Sequence, residues 1–268
     1  MICFPNAKIN LGLHVTGKRE DGYHNIETCF YPVPLKDALE IVPASVFSFA
    51  QSGIIPNSLP ENNLVVKACN LFKQHYDVPP LSVFLHKAIP FGAGLGGGSA
   101  DAAFMLKLLN AYTRQNLSNE ELEKMAVKLG ADCPFFIRNK PIIASGIGNI
   151  FESIELSLKG FFLYIIKPNF SVSTQEAYAM VKPTKPSVSL KEILQMPVKE
   201  WKQHLKNDFE QGIFQKYPII AELKAYLYAH EAIYAAMSGS GSSVFGLFDR
   251  EVELSFPKCF SRKGILQC

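Results

Sequence analysis

The chain carries little net charge. Over 268 residues the formal balance is +3, and no run of four or more Lys or Arg occurs. So weak a field gives no reason to expect a nucleic-acid partner, and it suits a small anionic ligand at least as well. Paired cysteines are also lacking. Cys3, Cys29, Cys69, Cys133, Cys259 and Cys268 are scattered without a C-x-x-C motif, which fits reduced thiols in a cytoplasmic protein. The first residues hold no basic segment followed by a long apolar one, and no stretch approaches the ~20 apolar residues of a membrane span. Neither a leader nor a membrane partner is expected. Common nucleotide-binding signatures fail as well: no Gly-Lys-Ser or Gly-Lys-Thr closes a Walker loop, and the Val-Ala-Ile-Lys, His-Arg-Asp and Asp-Phe-Gly set of protein kinases is missing.

What is present is an ordinary globular composition, 48% hydrophobic and 19% charged, in a chain long enough for one large domain or two smaller ones. One stretch stands apart: Ile89-Pro90-Phe91-Gly92-Ala93-Gly94-Leu95-Gly96-Gly97-Gly98-Ser99-Ala100-Asp101-Ala102-Ala103. Its crowded glycines let the backbone curl and turn successive N–H groups toward one point. Helix formers follow, with Ser99 in reach of the N-cap and Asp101 in the first turn. A loop that feeds a helix N-terminus in this way attracts phosphate. Gly92, Gly94 and Gly97 satisfy G-x-G-x-x-G, but the strand and acidic residue of a dinucleotide fold do not follow. The competing account is a turn that merely lets a helix pack closely.

Taken in order, Phe4 to Val15 alternates as a strand with one buried face, Ile9, Leu11, Leu13 and Val15 pointing one way and Lys8, Asn10 and His14 the other. Lys8 is then either a solvent-facing strand lysine or a site residue. Gly17 to Gly22 reads as a hairpin tip, with Tyr23 and His24 beside it and a returning strand to Tyr31, before Pro32 and Pro34. A helix opens near Glu61, for which Asn62 or Asn63 is an adequate N-cap. Leu81 to Lys87 is a strand that leads into the glycine loop. Ser118 and Glu121 form a capping box, and Ser173 with Glu176 a second, at the start of a helix carrying Tyr178. Asp132, in Gly130-Ala131-Asp132-Cys133-Pro134-Phe135, is a lone charge among apolar residues and must be paired. It either caps the turn begun by Pro134 or works in a site. Composition shifts near Ser153 to Lys159, where a domain boundary is expected. Helical patterns follow at Leu190 to Met196, Trp201 to Phe214 and Pro218 to Tyr228, and Val244 to Phe248 reads as the final strand.

Three separated segments can be weighed together: Pro5-Asn6-Ala7-Lys8-Ile9-Asn10-Leu11, Pro90 to Ala103, and Ser238-Gly239-Ser240-Gly241. In order and character they resemble the three motifs of the GHMP small-molecule kinases. The resemblance implies an α+β fold of two domains: residues 1–153, of the ribosomal-protein S5 domain-2-like type, and residues 154–268, ferredoxin-like. It also implies transfer of the γ-phosphoryl group of ATP, accompanied by Mg²⁺, to a hydroxyl of a small acceptor that carries cytidine diphosphate. On that likeness Asp132 matches the catalytic aspartate and Lys8 the lysine that accompanies it. Asn63, Leu64 and Lys87 fall where adenine-side contacts lie, and Pro90 to Ala100 hold the phosphates. Asn10, Tyr23, His24, Tyr178, Gly239 and Ser240 fall on the acceptor side, Tyr23 and Tyr178 being the aromatic pair offered for the cytosine faces. No residue is assigned as a metal ligand. Other readings stay open here. A mevalonate- or homoserine-type kinase would keep the loop without needing Gly22-Tyr23-His24, and a non-catalytic nucleotide-binding protein would need neither Lys8 nor Asp132.

Overall fold

A computed structural model describes residues 1–55, 59–256 and 259–266, so Cys268 lies outside the described residues. The chain opens with five strands: β1 (Ile2–Cys3), β2 (Asn6–Lys18), β3 (His24–Lys36), β4 (Ala38–Pro43) and β5 (Ser48–Gly53). Then come α1 (Leu64–Lys73), β6 (Leu81–Lys87), α2 (Gly97–Thr113), α3 (Asn119–Ala126) and α4 (Phe135–Arg138). A middle set of strands follows: β7 (Ile142–Ser145), β8 (Ile150–Ser153) and β9 (Phe162–Lys167). The last part holds α5 (Thr174–Met180), α6 (Leu190–Gln195), α7 (Trp201–His204), α8 (Phe209–Lys216) and α9 (Pro218–Ala229), then β10 (Tyr234–Met237), β11 (Val244–Phe248) and β12 (Phe260–Ile265). The mixture is α+β, as expected.

The elements divide into two compact units. The first comprises Met1–Ala7, Leu35–Phe91 and Gly96–Lys140. Its sheet has the order β1-β4-β6-β5, antiparallel except where β5 runs parallel to β6. Leu39, Ile41, Val83 and Leu85 are buried in that sheet, and α1 and α2 pack on each other, with Val65, Phe72, Ala103 and Leu106 among their buried residues. Each of these side chains larger than alanine contributes roughly 1.5–3 kcal/mol when fully buried. The second unit comprises Lys8–Pro34, Gly92–Leu95 and Pro141–Cys268. It holds a sheet of order β2-β3-β7-β8 and an antiparallel sheet of order β10-β11-β9-β12. The latter order is that of a ferredoxin-like βαββαβ unit, except that no described helix connects β11 to β12.

Several local expectations need correction. Both faces of β2 are buried: Lys8, Asn10 and His14 are as enclosed as Ile9 and Leu11. Gly94 and Ser238 lie against Lys8 and Asn10, and Asp208 against His14; a parallel bridge also joins Leu13 to Asn207, closed by Leu13 N–H to Lys206 O and Asp208 N–H to Leu13 O. The same bridge breaks the helix expected over Trp201 to Phe214, because Lys206 O and Asp208 N–H bond to Leu13 of β2 rather than within a helical ladder. Strand β3 runs on through Pro32 and Pro34 to Lys36. Its pairing with β7 covers only Thr28, Cys29 and Phe30, so beyond Phe30 a proline's missing donor deprives no β7 acceptor. Strand β11 is not the last, since β12 pairs with β9 after it. At α5 only half of the capping box forms: Ser173 Oγ accepts from Glu176 N–H, while the Glu176 carboxylate turns to Lys216 and the Tyr217 hydroxyl.

Candidate active site

The 13 residues of β2 carry Lys8 into the interior of the second unit. Only 3% of Lys8 is exposed, which disposes of the solvent-facing account. Its ammonium donates to Asn10 Oδ1 at 2.6 Å and to Gly94 O at 3.2 Å, and it lies 4.9 Å from the centre of the Phe30 ring. Asn10 is held in turn, its Nδ2 donating to Thr28 Oγ1 at 2.9 Å, and Thr28 donates to Gly12 O at 2.5 Å. Strand alternation places Lys8 and Asn10 on one face, so one oxygen of Asn10 fixes the direction of the ammonium.

The first half of the glycine loop is tied to the same place. Lys8 N–H donates to Leu95 O at 2.9 Å, and Ser238 Oγ donates to Gly94 O at 2.8 Å. Gly94 sits at φ +70°, and a Cβ there would come within 1.9 Å of Ser238 O, so no other residue fits. Gly239 lies alongside, where its own Cβ would meet Asn10 Oδ1 at 3.3 Å and Gly94 Cα at 3.4 Å. Asn207 Nδ2 donates to Met237 O and Gly239 O, both at 2.8 Å, and so sets the Ser238–Gly241 turn. Thus Lys8, Asn10, Gly94 and Gly239, distant in sequence, meet at one point. Ser240 Oγ reaches Thr174 Oγ1 at 3.3 Å.

The second half of the loop belongs to the first unit. Gly96, not Ser99, is the N-cap of α2, in the left-handed conformation at φ 69°. Ser99 is already the third helical residue, and burial pushes the Cys133 thiol up to about 12, with Ser99 opposing the rise. Helix geometry leaves the N–H groups of Gly97, Gly98 and Ser99 without intrahelical acceptors, at the positive end of a 17-residue macrodipole. Asn63 caps α1 by accepting from Val65 N–H at 2.9 Å, and its Nδ2 donates to Gln51. A Cβ on Gly98 would lie 3.6 Å from Leu64 Cδ1, so the start of α1 flanks the start of α2. Lys87 is 1% exposed, with its ammonium on the carboxylates of Asp37 and Asp101. Asp101 thus lies beyond the first turn of α2, as a buried pairing group. Asp132 is half-buried in the turn before α4, whose N-cap is Pro134.

A cleft of about 600 Å³ in the second unit is lined by residues that include Lys18, Tyr23, His24, Thr174, Gln175 and Tyr178. The ring stacked on Tyr178 is that of His24, with centroids 4.8 Å apart and planes at 17°. Tyr23, at the cleft's rim, is 63% exposed. Tyr178 also packs on Phe209 in a T-shaped pair, with ring centroids 4.9 Å apart, which anchors it. Thr28, Asp37 and Asn207 support the site yet stood out in no motif. Each acts through a pairing between distant segments that no local pattern announces. Among the described residues no cluster of three or more His, Cys, Asp or Glu side chains could hold a metal ion, and no helix is long and apolar enough to cross a membrane.

Comparison with known proteins adds to this geometry. Residues 63–140 match the model for the GHMP kinases N terminal domain, and residues 189–256 that for the GHMP kinases C terminal domain. The chain is 57% identical over 270 residues to the 4-diphosphocytidyl-2-C-methyl-D-erythritol kinase of Parabacteroides distasonis, covering 99% of this chain and 100% of that one. It is 58% identical over 259 residues to the enzyme of the same name from Bacteroides fragilis, covering 95% and 94%. A crystal structure of 4-(cytidine 5'-diphospho)-2C-methyl-D-erythritol kinase is similar at a TM-score of 0.80 and 33% identity, over 92% of this chain and 90% of that one.

Proposed function

The chain belongs to the GHMP kinases, and from that premise we propose that it phosphorylates a hydroxyl of 4-diphosphocytidyl-2-C-methyl-D-erythritol at the expense of ATP, in the cytoplasm, as a step of isoprenoid precursor synthesis. The observation that carries this beyond family membership is Lys8: a buried ammonium oriented by Asn10 at 2.6 Å and by the glycine loop at 3.2 Å. A non-catalytic nucleotide binder has no need of it. Phosphoryl transfer asks for alignment and charge stabilisation more than covalent chemistry. In this reading the N–H groups of the loop and of the first turn of α2 receive the nucleotide phosphates, with Asn63 and Leu64 toward the adenine and Lys87 behind the loop. Lys8 stabilises charge developing at the accepting oxygen, and Asp132 takes the hydroxyl proton.

Mg²⁺ accompanies ATP in the proposal as a shield for phosphate charge. The carboxylate of Asp101 does not fit it, being turned to Lys87 at 2.7 Å, so phosphate oxygens and water would form its shell, as Mg²⁺ tolerates. The cytosine enters the cleft of Tyr23, His24 and Tyr178, where a base stacked on Tyr178 takes the face that His24 covers and frees the imidazole for the base edge. Gly239 and Ser240 lie toward the acceptor's phosphates. A domain division into 1–153 and 154–268 belongs to the same proposal.

The test is ADP release from ATP with a panel of acceptors: the cytidine diphosphate methylerythritol, its uridine analogue, mevalonate and homoserine. Turnover with the cytidine compound, and little with its uridine analogue, is expected, because swapped donors and acceptors leave buried polar groups unpaired. Preference for mevalonate or homoserine would replace the acceptor, and no turnover with any would remove the kinase reading.

A further inference from the structure

Behind the phosphate loop, within the first unit, lies a cluster of charges that phosphoryl transfer does not use. Asp37, Lys87 and Asp101 are at most 2% exposed. Lys87 Nζ donates to Oδ2 of Asp37 and, at 2.7 Å, to Oδ2 of Asp101. Asp37 is further satisfied: its Oδ1 accepts from the N–H groups of Ala88 at 2.6 Å and Ile89 at 2.8 Å. Asp101 has no such support, and its Oδ1 is buried without a hydrogen-bond partner. A buried ion cluster of this kind is poor evidence of stabilisation, since desolvation offsets much of the attraction. Its position points elsewhere. Ala88 and Ile89 are the residues that carry the chain from β6 into the loop, and Phe91, in the loop, has its ring centre 5.3 Å from the ammonium. On the far side Asp101 stands one turn into α2, and a Cβ on Gly97 would come 3.2 Å from Lys87 Nζ. One ammonium therefore joins both flanks of the loop, the strand side through Asp37 and the helix side through Asp101.

We propose that Asp37 and Asp101 are positioning residues which, through Lys87, hold the two flanks of the loop at the spacing at which its N–H groups receive a nucleotide's phosphates. The inference rests on the nucleotide reading of the loop given above. Neither carboxylate touches the ligand. Charge on Asp101 is dispensable to the role: Asp37 already balances Lys87, and burial holds the Asp101 carboxyl up at about 8, so what Asp101 supplies is an acceptor oxygen in the right place.

Calorimetric titration of the whole chain with ADP and, separately, with CDP tests this. Asp101→Ala is expected to raise the Kd for ADP about tenfold, the scale of a small misplacement at a binding site, and to leave that for CDP within about twofold. Asp101→Asn, which restores a neutral acceptor, should bring the ADP value back to within about threefold of the unmodified chain. An unchanged ADP affinity in Asp101→Ala, or equal loss for ADP and CDP, would overturn the proposal. Should Asp101→Ala not fold, hydrogen exchange of the unmodified protein decides. ADP should slow exchange of the amides at residues 35–39, which surround Asp37 and lie outside the loop, and no slowing there overturns the inference equally. An unmodified chain that binds ADP yet phosphorylates no cytidine acceptor fails the acceptor reading alone. One that does not bind ADP fails the nucleotide reading itself.

Discussion

At the scale of single residues, two side chains carry the proposed chemistry, and their surroundings differ. Lys8 is enclosed, and the oxygens of Asn10 and Gly94 accept from its ammonium and aim it. Asp132 is half-buried in an irregular turn between two helices. If Asp132 takes the proton, Asp132→Asn keeps shape and removes the base, so kcat should fall by roughly 10²-fold or more while the KM for ATP holds. Initial rates at saturating acceptor, with a melting curve to show the variant folded, measure this. Near-normal turnover would leave Asp132 as a turn residue. Lys8→Met keeps the length and bulk of the stem and deletes the charge, so a loss of similar size in kcat is expected, again without a change in ATP KM. It also takes from Asn10 Oδ1 its 2.6 Å donor, leaving the longer bond from Ser238 Oγ, at a cost of about 1 kcal/mol in stability.

At the scale of elements, the glycine loop and α2 act as one device, and Gly96 is its pivot. Its φ of 69° belongs to a conformation that a β-branched residue adopts only under strain. Gly96→Val should therefore lose at least tenfold in ADP affinity, by re-aiming the N–H groups that follow, while α2 keeps its packing on α1. Unchanged ADP affinity in a folded variant would mean that the glycines serve packing alone. This loop was legible in the sequence because its signal is local: glycines, then helix formers. So were the capping box at Ser118 and Glu121, and the strand at Leu81 to Lys87, whose periods fall within one element. The misplaced N-cap at Ser99 shows the limit. Serine is the better cap by propensity, but the turn needs a positive φ one residue before the helix, and only the folded loop reveals that. The buried state of Lys8, the break at residues 205–208 and the pairing of Lys87 with Asp37 were not legible at all. Each depends on a segment far away in sequence, Asn207 against Leu13 or Asp37 against Ala88, and alternation along one strand says nothing of what covers its polar face.

At the scale of the whole molecule, the net charge of +3 is too small for general repulsion to govern the response to pH. Individual groups govern it instead. Toward acid, partners hold the carboxyls of Asp21, Glu120, Glu121 and Glu176 below their ordinary values: Arg19 for Asp21, its own backbone N–H and then Arg138 for Glu120, the Ser118 N–H and hydroxyl for Glu121, Lys216 for Glu176. Their contribution is present above the unfolded values and lost as pH falls through the folded ones. Toward base the Cys29 and Cys133 thiols, both pushed up to about 12 by burial, stay protonated and add nothing below pH 9. Between these limits Asp101 is decisive. Burial raises its carboxyl from the ordinary 3.8 to about 8, with Lys87 opposing and Asp37 assisting the rise. A folded chain that keeps a proton which the unfolded chain has released binds more protons between those two values, so stability falls as pH climbs toward 8. The melting temperature should accordingly decline from about pH 5 to pH 8 and level off above it. In Asp101→Asn, which has no proton to lose at that position, the decline should flatten. A variant whose profile overlays that of the unmodified chain across this window would show that Asp101 is already ionised in the folded state, with Lys87 shared evenly between two charged carboxylates.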